Sequence, residues 1–463
     1  MNKLSRRDLL KAAGTAGLVA ICDPCRSRAH ESPRELLAPG PEASALSTPD
    51  YRIEIAPLTL DLSPQRRITT TAYNGQVPGP LLRLKENTPV TIEVANRSDF
   101  PEVVHWHGLH LPSAIDGAME EGTAPIPPGS TARYIFAPRP AGFRWYHTHT
   151  MAMGDLSRAQ YGGQHGFLLV EPRENPGRYD QEFFLALHDW NAHLLASDDG
   201  AMNPTYEVST INGRTLGFGE PLRVRQGQTV VLHVLNSSAT ETHWVSFAGH
   251  LMRVIALDGN PVPACREVPM LRLAPAERVS VVVVMNNPGV WVFGEVRKHV
   301  QAAGMGIVVE YARAEGAPRW QQPTQLQWSY EQFGAAVAAE SPAATVVPLV
   351  FDSKFRGHGA MEAWTINGKS FPEASVAPWR VGERYILKLV NASADDHPLH
   401  LHRHRFELRG AGKRLGVMKD VVLVDAHSTR EVELVADNPG PTLFHCHQQN
   451  HMDLGFMLLL NYA

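Results

Sequence analysis

Pro221-Leu222-Arg223-Val224-Arg225-Gln226-Gly227-Gln228-Thr229-Val230-Val231-Leu232-His233-Val234-Leu235-Asn236 alternates apolar and polar side chains on both sides of a Gly turn. Successive side chains leave a pleated backbone on opposite faces, so a period of two predicts strands with one face buried. The same stretch returns as Leu81 to Asn96 and as Val376 to Asn391. Each copy is introduced by Asn-Gly, at Asn74-Gly75, Asn212-Gly213 and Asn367-Gly368, and closes in an Asn-x-Ser turn. One strand pair recurring at the same place in three units predicts three related all-β sandwiches. Long helical patterns are absent, and turn signals recur every 8 to 12 residues or so, as in a sandwich or barrel.

The chain has 463 residues, too many for one compact core. Boundaries fall where strand pattern gives way to polar turn residues, which gives a first domain at 51–173 and a second at 178–313. A linker rich in Ala, Pro and Gln follows at 314–347, with a short helix expected around Tyr330 to Ala339, and the third domain is 348–463. The net charge of −4 and the lack of any run of like charges exclude a nucleic-acid stripe and a polybasic membrane anchor.

Ser5-Arg6-Arg7-Asp8-Leu9-Leu10-Lys11, the short apolar run Ala12 to Cys22 and Ser27-Arg28-Ala29 read as a twin-arginine export signal at 1–29, with a linker at 30–50. A membrane-spanning helix needs about twenty apolar residues, more than this run supplies. The expected partner is the twin-arginine export machinery, which carries folded proteins, and the expected location is periplasmic or secreted. Cys22 and Cys25 leave with the signal. Cys446 stands between two histidines, so Cys265 is expected to be a lone buried thiol.

Ten of the 22 histidines fall in four tight clusters, all in the first and third repeats. They are His105-Trp106-His107, His147-Thr148-His149, His397-Pro398-Leu399-His400-Leu401-His402 and His445-Cys446-His447 followed by His451. On a strand, residues i and i+2 share a face, so each His-x-His aims two imidazoles at one point. Four pairs exceed what one ion accepts and predict a cluster of several ions. In His445-Cys446-His447 the alternation sends both imidazoles one way and the sulfur the other, so one strand serves two sites. A thiolate with two imidazoles is the ligand set of a blue-copper electron-transfer centre, and His397 and His451 are the unpaired histidines left to complete it. Closed zinc sites would require sets of four ligands with paired cysteines.

These four motifs, in this order, resemble those of the three-domain multicopper oxidases, the family of laccases and bacterial copper-tolerance oxidases. The likeness covers nearly the whole chain after the signal. It implies an all-β fold of three cupredoxin-like Greek-key β-sandwich domains. It implies four copper ions, with the type 1 copper on His397, Cys446 and His451 and the type 2 copper on His105 and His400. His107, His147, His149, His402, His445 and His447 would hold the type 3 pair. The middle repeat has none of the pairs, and its His233, His243 and His250 fit a spacer.

The chain also departs from the family. The weak axial ligand of type 1 copper, often Met five residues after the last histidine, is here Phe456, which cannot coordinate. A more oxidising centre is expected, since Met457 should point to the other side of the strand. Asp116 matches a family aspartate near the type 2 copper and is a candidate acid for the protons of oxygen reduction, although Asp116-Gly117 could equally make only a turn. Relatives often carry Glu directly after the last type 1 histidine, where this chain has Met452; Asp453 follows and alternation faces it away. His110, His165, His188, His193, His404 and His427 are expected in the core or as partners of ligand rings, and Met151 and Met153 in packing.

The resemblance implies a laccase-like oxidase, in which Cys446 carries electrons from a phenol or aryl amine reaching His451 or His397, and dioxygen is reduced to water. A second reading is a metallo-oxidase acting on Cu(I) or another metal ion in copper tolerance, whose relatives carry a Met-rich insertion absent here. A third is a non-enzymatic exported scaffold of the same fold.

Overall fold

The computed structural model describes residues 48–173, 179–191, 204–324, 327–335, 343–355 and 361–463. The stretch 1–29, expected to be an export signal, and His193 lie outside these residues. Each repeat is built from two sheets. In the first, Arg66–Tyr73, Tyr51–Ser63, Val90–Asn96 and Thr131–Phe136 lie side by side in that order. They face Gly79–Lys85, His165–Glu171, Gly142–Thr148 and Val104–His105 across a core of Ile53, Ile92, Leu82 and Leu168. The middle repeat has sheets of six and five strands, and the third has sheets of six and four. Among the described residues no helix is long and apolar enough to cross a membrane.

The threefold sequence pattern has a threefold structural cause. Asn74-Gly75, Asn212-Gly213 and Asn367-Gly368 all adopt positive φ at both positions, the geometry of a tight hairpin turn that Asn-Gly tolerates. Each of these asparagines ties the turn back to the first strand of its repeat. Its Oδ1 accepts from the backbone N–H of Glu54, Ala186 or Val350, and its Nδ2 donates to the carbonyl of Arg52, Phe184 or Pro348. The Asn-x-Ser turns also repeat. Asn96, Asn236 and Asn391 are buried, accept from the backbone N–H of Ser98, Ser238 and Ser393, and donate to loop carbonyls. The amide thereby satisfies backbone groups that water cannot reach.

In each repeat the strand ending in that asparagine runs parallel to the first strand and antiparallel to a later one. Two expectations need correction here. The two strands of each repeated pair lie in opposite sheets, and in the third copy the first of them shrinks to one bridge between Trp379 and Tyr462. Thr229–Asn236 is buried on both faces rather than one. Its outer face is covered by the first repeat, through a cluster of Phe143, Trp145, Phe167, Ala186, Leu235, Ala276 and Val421. Burying a large apolar side chain contributes on the order of 2–3 kcal/mol, so this cluster holds the repeats together.

Among the described residues the linker helix is a single 3₁₀ turn, Tyr330–Phe333, whose N-cap Ser329 accepts from the N–H of Glu331. Residues 336–339 of the expected helix lie outside the described ones. Cys265 is exposed rather than buried, and neither it nor Cys446 forms a disulfide. It lies in Asn260–Val268, the edge strand of its sheet, where Asn260, Val262 and Val268 are the buried residues.

Candidate metal centre

Each histidine pair straddles the end of a strand. His105 closes Val104–His105, His147 lies in Gly142–Thr148, His400 in His397–Leu401 and His445 in Thr442–Cys446. His107, His149, His402 and His447 lie just past those ends. Pairing sets His105 opposite His147 and His400 opposite His445. The pleat therefore aims only the first ring of each pair, and the turn beyond brings the second one in. Gly108 and Arg403, both at positive φ, mark two of these turns.

All eight rings are buried. Burial holds His107, His147, His400, His402, His445 and His447 neutral by pushing their pKa values well down, and His149 falls to about 3 for the same reason. Neutral imidazole is the form that binds a metal. In five rings Nδ1 is tied to an acceptor, which assigns the proton there. The acceptors are the Asp116 carbonyl for His105 (2.9 Å), the Thr148 carbonyl for His147 (2.7 Å) and the Asp420 carbonyl for His400 (2.8 Å). For His402 it is Asp116 Oδ2 (3.0 Å), and for His445 the Cys446 carbonyl (2.9 Å).

The bare Nε2 lone pairs then converge. His105 and His400 approach to 3.3 Å, His402 and His445 to 3.1 Å, and His149 and His445 to 3.4 Å. Lone pairs facing each other at such distances repel unless a cation lies among them. His447, with neither ring nitrogen hydrogen-bonded, lies 5.2 Å from His107 and from His147 between ring centroids. The donor set fits a cluster of metal ions.

The sulfur side is a separate site. Cys446 Sγ lies 3.5 Å from His451 Nδ1 and 3.7 Å from His397 Nδ1, which are themselves 3.1 Å apart. His451 comes from the short helix Gln449–Asp453 rather than a strand. Burial pushes the Cys446 thiol up and the two imidazoles down, so a thiolate there requires a metal to hold it. Trp364 packs against both imidazoles, and Phe456, fully buried, lies 4.8 Å from the His397 ring. Thiolate with two imidazoles in an apolar wall suits copper. Met457 turns away into a cluster with Ala118, Leu443 and Met452.

Three segments, residues 56–175, 181–309 and 347–463, each match a family model described as multicopper oxidase. This chain belongs to the multicopper oxidases. It is similar to multicopper oxidase MmcO of Mycobacterium tuberculosis, at 29% identity over 97% of this chain and 92% of that protein. Copper resistance protein A of Pseudomonas syringae is 24% identical across 98% of both chains. The solved multi-copper oxidase of Pseudomonas thermotolerans superposes with a TM-score of 0.70 at 27% identity, covering 89% of this chain and 98% of that one. As a multicopper oxidase the chain is a copper-dependent oxidoreductase that uses dioxygen and a reductant.

Around the histidines of this multicopper oxidase the structure places Asp116 and three groups that the sequence did not single out, Glu121, Arg403 and Asp420. Asp116, expected as an acid or a turn, is buried, with Oδ2 shared between His105 (3.2 Å) and His402 (3.0 Å) and Oδ1 unpartnered. Glu121 is buried beside it, accepting from the Leu443 N–H at 2.6 Å, and burial together with the Asp116 carboxyl pushes its pKa well up. Arg403 donates to the carbonyls of Leu111, Asn438, Pro439, Gly440 and Pro441 and to Thr442 Oγ1, binding the first repeat to the strand that carries Cys446. Asp420 accepts from His107 and two guanidiniums. Two adjacent charged residues, Lys419 and Asp420, inside the apolar run Val417 to Val424 were the available signal.

Among the remaining histidines, His404 and His188 have hydrogen-bond partners, while Nε2 of His110 and of His165 is buried without one. His404 bonds Tyr462 OH at 2.7 Å, and His188 stacks on His165 and bonds the Ser237 carbonyl. His110 is buried next to His404. His427 is exposed at positive φ, a turn residue rather than a core one. Met153 is 74% exposed, which corrects the packing role expected for it. Asp453 faces the 152–153 backbone, accepting from Ala152 and Met153, because it lies on a helix and not on a strand. A cavity of about 620 Å³ opens away from the metal centre, and its His233 is tied to Ser280 and Glu182.

Proposed function

We propose that the chain is a laccase-like oxidase that draws electrons one at a time from a phenol or an aryl amine and reduces dioxygen to water. One observation carries this reading: sulfur and imidazoles leave a single strand end in opposite directions. Cys446 Sγ meets His397 and His451, while His445 meets His402 and His149. In this assignment His397, Cys446 and His451 would hold a type 1 copper with Phe456 packed beside the His397 ring, and His105 and His400 would hold a type 2 copper. His107, His147, His149, His402, His445 and His447 hold a type 3 pair. Four coppers so bound would supply one-electron uptake at the sulfur site and four-electron reduction of dioxygen at the cluster.

The protein's own part is to connect, expose and exclude. Cys446 is joined to His445 and His447 by one peptide bond each, so the two sites share a short covalent path. His451 is 5% exposed and His397 is not exposed at all, which supports His451 over His397 as the ring that meets the reductant. The buried cluster rings keep bulk water out. Asp116, with one oxygen on two ligand rings and Glu121 beside it, stands next to the cluster as the candidate acid. Met452, packed in an apolar cluster, offers none.

Two relatives named copper resistance protein A favour a second reading, oxidation of Cu(I) or another metal ion in copper tolerance. The complete ligand set stands against a non-enzymatic scaffold. Export by the twin-arginine pathway to the periplasm or beyond accords with the Ser5 to Lys11 motif.

Oxygen uptake by the copper-loaded protein, offered a phenol, an aryl amine, Cu(I) and Fe(II) in turn, tests these readings. Preference for the organic reductants is expected. Preference for metal ions would shift the reading to the second, and no turnover at all would leave the scaffold. Cys446→Ser should abolish both the blue colour and the uptake.

A further inference from the structure

We propose that Asp420 is a positioning residue that selects which nitrogen His107 turns to the cluster, and that it can do so because the ligand-free middle repeat clamps it. This rests on reading the histidine cluster as a copper site. Five cluster rings tie Nδ1 outward and point Nε2 in, as described above. His107 is reversed. Its Nε2 lies 3.1 Å from Asp420 Oδ1, and its Nδ1 faces His147 Nε2 at 3.4 Å. A carboxylate accepting from Nε2–H leaves Nδ1 as the bare lone pair.

Asp420 cannot turn away from that task. Arg278, on Arg278–Val284 of the middle repeat, grips both of its oxygens, at 2.6 and 2.7 Å. This is the bidentate fork that guanidinium makes with carboxylate. Arg144 of the first repeat adds a contact to Oδ2 at 3.3 Å. Behind it, Asp258 of the middle repeat accepts from the backbone N–H of Asp420 and Val421 and pairs with Lys419 Nζ at 2.9 Å. Lys419 also pairs with Glu277, which accepts from Tyr330 OH. Three cations and three carboxylates from all three repeats are thus enclosed together, none more than 2% exposed.

Two further observations favour positioning over ligation. Asp420 lies within ligand range of His107 and His400, but both of its oxygens are already engaged by guanidinium N–H groups. The backbone makes room for the clamp as well. Gly108, directly after His107 and at φ +84, has no Cβ; one there would lie 2.8 Å from Asp420 Oδ2 and 2.9 Å from Arg278 Nη2. The main chain of Asp420 orients a second ring, since its carbonyl accepts from His400 Nδ1, and the His107 and His400 rings stack at 3.8 Å. A side-chain substitution therefore touches His107 and leaves the His400 bond in place.

The test uses full-length copper-loaded protein and the near-isosteric Asp420→Asn, with Arg278→Lys as the variant that keeps the charge but loses the fork. Copper affinity is measured by chelator competition, with the blue absorption of the Cys446 site as internal reference and melting temperatures taken with and without copper. Asp420→Asn should weaken cluster copper by about 10–100-fold, the usual effect of removing such a hydrogen-bond partner, with the blue absorption per chain unchanged. Arg278→Lys should give a smaller loss at the same site, and it carries the test alone if Asp420→Asn does not fold. Unchanged cluster affinity overturns the proposal. So does an equal loss at both sites with an equal fall in copper-free melting temperature, which would make the ion cluster structural only. A wild-type protein without blue absorption instead removes the copper reading, and this proposal with it.

Discussion

His243 offers a quantitative test of how the ligand-free repeat holds itself together. Its Nε2 lies 2.7 Å from Asp189 Oδ2 and its Nδ1 3.0 Å from Glu295 Oε2, all fully or almost fully buried. A neutral imidazole has one N–H and cannot serve both carboxylates, so the ring is charged. Burial works against that charge, but the Asp189 carboxylate, then Glu295, overrides it and raises the pKa to about 9. The gap from the ordinary 6.5 corresponds to about 3 kcal/mol, at roughly 1.4 kcal/mol per pH unit. Because the folded-state value is raised, this stability is fully present below pH 6.5 and is lost as pH rises through about 9. Asp189 and Glu295 work in the opposite sense. Burial raises them, yet His243 pulls both down to about 2, so their share is present above the usual carboxylate range and fades as pH falls through about 2. His243→Gln should therefore melt several degrees below wild type at pH 6, taking roughly 2–4 °C per kcal/mol, and the two should converge by pH 10. The measurement is the thermal midpoint of both proteins across that range. A gap that stays flat or widens with pH would refute the charged-ring assignment.

Phe456→Met should lower the potential of the sulfur site, read by redox titration, because a thioether can reach the copper where a phenyl ring cannot; the near volume-conserving swap should change stability by less than about 1.5 kcal/mol. Asp116→Asn should cut oxygen turnover by about 10–100-fold with the blue absorption unchanged, and a normal rate would remove Asp116 from both its hydrogen-bonding and its acid role. Gly117→Ala would set a Cβ 2.1 Å from the Val104 carbonyl and 2.3 Å from His105 Cα at φ +110. Displaced His105 should show as lowered copper content per soluble chain, and full copper loading would contradict the packing described here.

The fold was legible because repetition amplifies weak signals. One Asn-Gly turn or one Asn-x-Ser is common, but three copies in the same order and at nearly the same spacing reflect the same amide-to-backbone ties made three times. The histidine pairs were legible because they are local in sequence, although the strand aims only the first ring of each and the turn beyond it brings in the second. Local pattern could not show what covers a strand from outside. Thr229–Asn236 read as half-buried because nothing in its own residues announces the Phe143 and Trp145 face of another repeat. The same limit hid Asp420 and Arg278, 142 residues apart in sequence yet joined by a two-bond fork. It also inverted the reading of Cys265, whose exposure follows from its place at a sheet edge. Asp453 was faced correctly away from the cluster for the wrong reason, since alternation does not apply on a helix.

The metal centre and the strand register are one constraint. In Thr442–Cys446 the pairing sets Cys446 opposite Leu399 and His445 opposite His400 on one side, and His445 opposite Met457 on the other. A slip of one residue would exchange the faces of the whole strand, sending the sulfur toward the imidazole cluster and both imidazoles toward His397 and His451. No ligand set would survive at either site. What forbids the slip lies outside the ligands: Phe444 and Leu458 are locked into the core of the third repeat, Glu121 takes the N–H of Leu443, and Arg403 gathers the turn that leads into Thr442. Two of these anchors, Glu121 and the Leu111 carbonyl held by Arg403, involve the first repeat. The register of the cysteine strand is therefore set partly by the domain that supplies the other half of the cluster, so assembling the interface and aiming the sulfur are the same event.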